Sequence, residues 1–165
     1  FLNRPTKINL PPLALVDVDA YYASAFAEMG IEFAPTLRKQ AALATEGSPY
    51  LMQLIGHYLT LYASQGVIDA DVLQTAVSAA RDDFEQDVCK TTLAALSQVD
   101  VKFLAAMSGD DGASSIGDIA DRMGEKPDYA QKYRKRLIDA GIIEPAGRGL
   151  LRFAVPFLKD YLRRG

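Results

Sequence analysis

Gln131, Lys132, Arg134, Lys135 and Arg136 fall within one short stretch of this chain, and Arg148 and Arg152 sit in and beside a glycine-rich tip a few residues later. Cations neutralise backbone phosphates, a glutamine amide can reach a base edge, and an arginine on a narrow tip can reach a phosphate or the minor groove. These seven residues are therefore the candidate DNA contacts. Other chemistry is sparse. His57 is the only histidine, so neither a His-based metal cluster nor a Ser-His or Cys-His pair can be built beyond a chance one, and an apolar helix suggests a hydrogen-bonded structural role for it. Asp82, Asp83, Glu85 and Asp87 crowd one helix, but adjacent helical positions do not converge on one point, and a solvated acidic face is expected. No Gly-x-x-x-x-Gly-Lys-Ser/Thr phosphate loop occurs, so this chain is not expected to be an enzyme as it stands.

The elements that must position the cations are legible. Ile116, Ile119, Ala120 and Met123 recur at helical spacing behind Ser115, an N-cap type, and Gly124 closes that helix. After Glu125-Lys126, Pro127 suits a first helical position; Ala130, Tyr133, Leu137 and Ala140 form the inward stripe of a second helix ended by Gly141, leaving Gln131, Lys132, Lys135 and Arg136 outward. Ile142-Ile143 and residues 150–155 are β-prone runs joined through Ala146-Gly147-Arg148-Gly149. The order predicts a helix-turn-helix followed by a wing. Winged helices also serve as protein-docking modules, so DNA contact and interaction without DNA both stay open.

Charge is polarised along the chain. Residues 126–165 hold ten Lys/Arg against four Asp/Glu, whereas residues 1–125 hold eight against seventeen, so the overall net charge of −3 conceals a basic C-terminal module and an acidic remainder. At 165 residues and 49% hydrophobic the chain can bury a real core as one domain or two, and the asymmetry favours two. A single cysteine, Cys89, excludes an intrachain disulfide and fits a reducing cytosol. No apolar run approaches the roughly 20 residues of a membrane span. The opening Phe1-Leu2-Asn3-Arg4, without an initiator Met, suggests a piece of a longer protein.

The first part reads as a set of helices. Ile8 to Leu13 is extended and broken by two prolines, after which Asp17 or Asp19 can cap a helix reaching Gly30. A second helix covers Thr36 to Thr45, and Ser48-Pro49 starts an apolar third that stops at Gly66. A long helix is expected from Val72 to about Ser97, with Val72, Ala76, Ala79, Ala80, Phe84, Val88 and Leu93 inward, and a further one over Val101–Met107. The domain boundary is placed at 97/98.

Several phrases in this order resemble the C-terminal end of P-loop ATPases of the AAA+ and STAND type, including the initiator-like ATPases of bacteria and archaea. Arg4 and Leu10-Pro11-Pro12-Leu13 resemble the segment leaving the ATPase core; Gly47-Ser48-Pro49 is similar to the Gly-x-Pro motif at the start of a lid helix, although Tyr50 and Met52 supply no sensor arginine. Tyr133-Arg134-Lys135-Arg136-Leu137-Ile138-Asp139-Ala140-Gly141-Ile142-Ile143 and Phe153 to Arg163 resemble the last helix, strand and closing helix of their winged helices. The resemblance implies a helical lid (1–97) and a winged-helix domain (98–165). It also implies a finger or sensor role for Arg4, and nucleotide contact from Gly47, Ser48 and Pro49, the proline packing on adenine beside the positive helix end.

The expectations are thus a mainly α chain, a helical lid bundle and a winged helix-turn-helix with a two- or three-stranded sheet. The resemblance adds no cofactor in this piece but ATP and Mg²⁺ in the full-length protein. The expected partners are DNA at low sequence specificity, the missing N-terminal ATPase core and a possible protein partner, in the cytoplasm and without a membrane. The alternative is a protein-interaction or autoinhibitory winged helix of a STAND-type switch.

Overall fold

The computed structural model describes residues 11–165. Arg4 and the start of the extended segment, residues 8–10, lie outside the described residues. The fold is mainly helical with small sheets, as expected, and it divides into two compact units that meet at Phe84 and Glu85.

The first unit contains α1 (Leu15–Glu28), β1 (Glu32–Phe33), α2 (Pro35–Ala44), α3 (Pro49–Tyr62), β2 (Val67–Ile68) and α4 (Ala70–Phe84). Val18, Tyr22 and Phe26 recur every four residues on α1, as do Leu51, Ile55 and Leu59 on α3, so each helix turns one apolar stripe inward. Each fully buried large side chain contributes about 1.5–3 kcal/mol, which makes these stripes the main support of the unit. Phe26 meets Phe33 edge to face with ring centroids 5.3 Å apart. The short strands β1 and β2 pair in parallel, Glu32 opposite Val67 and Phe33 opposite Ile68, a pairing the sequence did not announce. Neither Asp17 nor Asp19 caps α1. The helix begins one turn earlier, with Ala14 in the cap position; Asp17 lies in the first turn, and Asp19 accepts a 2.8 Å bond from Arg38 of α2.

The second unit runs from a π turn (Glu85–Cys89) through α5 (Lys90–Ala94), α6 (Gln98–Ser108), β3 (Ser114–Ser115), α7 (Ile116–Met123), α8 (Pro127–Asp139), β4 (Ile143–Pro145), β5 (Leu150–Phe153) and α9 (Leu158–Arg163). This is a winged helix-turn-helix. Its sheet has three antiparallel strands in the order β3-β5-β4, with Ser114 opposite Leu151 and Ile143 opposite Phe153. Ser115 caps α7 by accepting from the Asp118 amide, Gly124 ends it in the left-handed conformation, and Pro127 opens α8. Ile119, Ala120, Met123, Ala130 and Leu137 are buried against Phe103, Leu104 and Met107 of α6; Ile116 and Tyr133 are half-buried and Ala140 is exposed.

The long helix expected over 72–97 is interrupted. Leu73 in place of Val72 is buried near its start, with Ala76, Ala80 and Phe84 following; the π turn then inserts a residue, so that Glu85 and Cys89 are buried beyond it in place of Val88. Glu85 accepts from Arg164, and the Cys89 thiol donates to the Pro156 carbonyl at 3.6 Å. Residues 85–97 therefore belong with the winged-helix unit, ahead of the boundary read at 97/98. Their partners lie more than sixty positions away, where local periodicity carries no signal.

Candidate nucleic-acid interface

Helix α8 and the β4–β5 wing carry all seven residues singled out for DNA contact. Gln131, Lys132, Lys135, Arg136, Arg148 and Arg152 are exposed and Arg134 is half-buried. The wing tip closes tightly: the Ala146 amide donates to the Leu150 carbonyl at 2.9 Å, and Gly147 and Gly149 take the positive φ values that hold Arg148 at the apex.

The cations differ in what they already hold. Arg136 donates at 2.8 Å to Asp100, whose carboxylate is buried to 1% exposure and also closes a capping box with Ser97. The second oxygen of Asp100, Oδ1, is buried with no hydrogen-bond partner among the described residues. Removing the cation would leave this carboxylate buried and uncompensated, so even with Arg136 60% exposed this guanidinium is committed to the fold. Lys135 pairs with Asp139 one turn on, and Arg152 with Glu144 directly across the β4–β5 pair. Exposed pairs of that kind are worth about 0–1 kcal/mol, so both cations can turn to a phosphate at little cost.

The rest of the basic C-terminus is largely internal wiring. Arg163 donates to the Ser108 and Asp110 carbonyls and pairs with Asp111, Lys159 reaches the Asp111 and Gly112 carbonyls, and Arg164 meets Glu85. Arg122 grips Asp110 with two nitrogens at 2.7 and 2.9 Å, and Ser114 donates to the same carboxylate at 2.6 Å. The Arg122 and Ser114 bonds hold the Asp110 carboxyl down at about 2. Among the described residues, Lys126, Lys132, Arg134 and Arg148 are the cations of 126–165 without a carboxylate or carbonyl partner. The sequence count of ten therefore overstates the free charge.

Lys132 is free of carboxylates but not loose. Its Nζ lies 4.7 Å from the Tyr129 ring centroid and 5.5 Å from that of Tyr133, two half-buried rings one turn apart whose hydroxyls are 3.5 Å from each other. Tyr129 was not among the residues singled out from sequence. The signal was present as Tyr129-x-x-Lys132-Tyr133, the i, i+3, i+4 spacing that brings helical side chains together.

Gly47, Ser48 and Pro49 sit at the start of α3. Gly47 has φ +78°, its carbonyl accepts from the Leu13 amide at 2.7 Å, and a Cβ there would come within 2.7 Å of the Leu13 oxygen. Its smallness is thus required by the chain packed over it. Ser48 caps the helix by accepting from Leu51, and Pro49 is half-buried at the first helical position. The amides of Gly47, Ser48, Leu51 and Met52 all have internal acceptors, so these four are not available to an anion.

His57 is exposed, edge-on to Tyr58 at 5.0 Å, and has no hydrogen-bond partner among the described residues, in contrast to the structural role expected. It lines an open, largely apolar groove of about 330 Å³ between α1 and α3 with Tyr21, Met29, Met52 and Leu61. The acidic residues are not a uniform solvated face: Asp83 accepts from Tyr58, and Glu85 is buried. Among the described residues no cluster of three or more His, Cys, Asp or Glu could hold a metal ion, and no helix is long and apolar enough to cross a membrane.

Residues 86–162 match a family model described as a domain of unknown function, DUF8462. No curated protein matches the chain. Similar solved structures include Thermotoga maritima RuvB, described as a Holliday junction branch migration motor, and single-substitution variants of it, each at 18% identity and a TM-score of 0.40. The alignments cover 93% of this chain and 50% of theirs, so the chain spans about half the length of those proteins.

Proposed function

We propose that the winged-helix unit binds DNA through α8 and the wing, as the DNA-contacting end of a P-loop ATPase whose lid is the helical unit. The observation that carries the DNA reading is the set of cations left, among the described residues, without a carboxylate or carbonyl partner on these two elements, Lys132 and Arg134 on α8 and Arg148 at the tip, with Lys126 beside the start of α8. Lys135 and Arg152 can join them by exchanging weak surface pairs. Gln131 is exposed beside them and able to meet a base edge. With most contacts going to phosphate, affinity is general and sequence preference slight.

A winged helix that worked instead by docking a protein would be expected to show an apolar face. Among the described residues, the exposed large hydrophobic side chains are Leu15, Val16, Tyr21, Met29, Leu43, Tyr50, Leu61, Tyr62 and Val67 in the helical unit, against Leu150 alone in the winged-helix unit. That contrast favours DNA for the winged helix. It also suits a lid, which needs apolar surface where it closes on a core. In this reading ATP and Mg²⁺ are held mainly by the ATPase core, Pro49 meets the base, and Arg4 serves as a finger or sensor arginine.

Fluorescence anisotropy of the chain with a labelled duplex tests the DNA reading. Three to four phosphate contacts should cost about 40- to 150-fold in affinity between roughly 50 and 200 mM salt. No binding at the lower salt would sink the reading and leave the interaction module in its place.

A further inference from the structure

We infer that Tyr129, Lys132 and Tyr133 form a phosphate clamp on α8, in which the ammonium and two phenolic hydroxyls together receive one backbone phosphodiester of DNA. The inference rests on the DNA reading above and specifies what part of the nucleic acid this site takes. A surface lysine without a carboxylate normally samples many rotamers in water. Here the ammonium lies over two rings, 4.7 and 5.5 Å from their centroids, where the aromatic faces hold a cation without neutralising it. The positive charge is placed in advance and still needs an anion.

The two hydroxyls complete the site. At 3.5 Å from each other they are close enough to serve neighbouring oxygens of one tetrahedral group, and both rings are only half-buried. Arg136, whose guanidinium lies 5.7 Å from the Tyr133 centroid, borders the site but is held by Asp100.

The same geometry argues against a base as the ligand. Exposed aromatic residues between cations often stack unpaired bases, but each ring here already carries the Lys132 ammonium over its face. A phosphate leaves that arrangement intact, whereas a stacked base must displace it. The clamp is therefore expected to be indifferent to sequence.

Binding of the whole chain to two duplexes of unrelated sequence, at about 50 mM salt and across a salt series, tests this. Lys132→Gln should weaken both duplexes by a similar factor, roughly 5- to 10-fold, and lower the salt slope by about 1. The Tyr129→Phe/Tyr133→Phe pair keeps the rings under Lys132 and removes only the hydroxyls, and should weaken both duplexes roughly 2- to 5-fold at an unchanged unfolding midpoint. If wild type binds but Lys132→Gln changes nothing, the clamp is wrong and the DNA reading survives through Arg148. If the lysine variant loses affinity and the Phe pair does not, Lys132 is an ordinary surface contact and the clamp again fails. If wild type does not bind at all, both readings fall together.

Discussion

The helical unit and the winged-helix unit solve opposite surface problems with similar cores. Both bury apolar stripes at helical spacing, Val18, Tyr22 and Phe26 in the first and Phe103, Leu104 and Met107 in the second. Outside those stripes the first unit leaves Val16, Leu43 and Leu61 more than half exposed, whereas the second leaves Lys132, Arg148 and their neighbours. Within the second unit the same division recurs on a smaller scale. Arg136 and Lys132 are neighbours on α8, yet one is bound to a buried carboxylate and the other rests on two rings. A cation's sequence position says that it is near the surface; its partners say whether it is available.

The largest effect expected from breaking this contrast lies in the core that holds α8 against α6. Phe103→Ala should cost about 3–5 kcal/mol in denaturant unfolding and abolish duplex binding with it. A cost near 1 kcal/mol would mean that Phe103 is not the keystone its complete burial indicates.

Arg136→Ala should come next, at about 1–3 kcal/mol once its exposure is discounted, because Asp100 loses its cation while remaining buried. Lys135→Ala on the same helix should cost less than about 0.5 kcal/mol. Equal costs for the two would erase the distinction between committed and available cations. Arg148→Gln sharpens it from the other side: thermal unfolding should be unchanged, while duplex affinity falls roughly 5- to 10-fold and the salt slope drops by about 1.

The smallest expected effect is one whose pH dependence is confined to acid. Arg122 and Ser114 hold the folded Asp110 carboxyl at about 2, below its ordinary value near 3.8. The folded state thus binds this proton less readily than the unfolded chain does. The stabilisation is complete above about 4 and is lost as pH falls through that window towards 2. Asp110→Asn should be less stable than wild type at neutral pH, and the gap should narrow as pH falls from about 4 to about 2; a gap that stays constant with pH would remove Asp110 from this role.

Much of the fold was readable because it rests on local rules. Ser115, Gly124, Pro127 and Gly141 mark the ends of α7 and α8 by capping and backbone chemistry that involves only near neighbours. Ser48-Pro49 does the same for α3. The start of α1 was misplaced because Ala14 takes the cap position without a side-chain bond, and nothing in the local sequence marks it. The π turn was missed because a one-residue insertion preserves an apolar pattern while rotating it, and Glu85 and Cys89 find their partners near the far end of the chain.

The candidate interface shows the same limit. Sequence alone determined that α8 and the wing would be cationic, since residue type and helical spacing decide which side chains lie away from the apolar stripe. Only the tertiary structure decided which cations are free, because Asp100, Glu144 and the carbonyls of the 108–112 segment reach them through pairings set by packing. Charge is a property of the residue, whereas availability depends on the distance and burial of the opposite charge, and those exist only once the chain is folded.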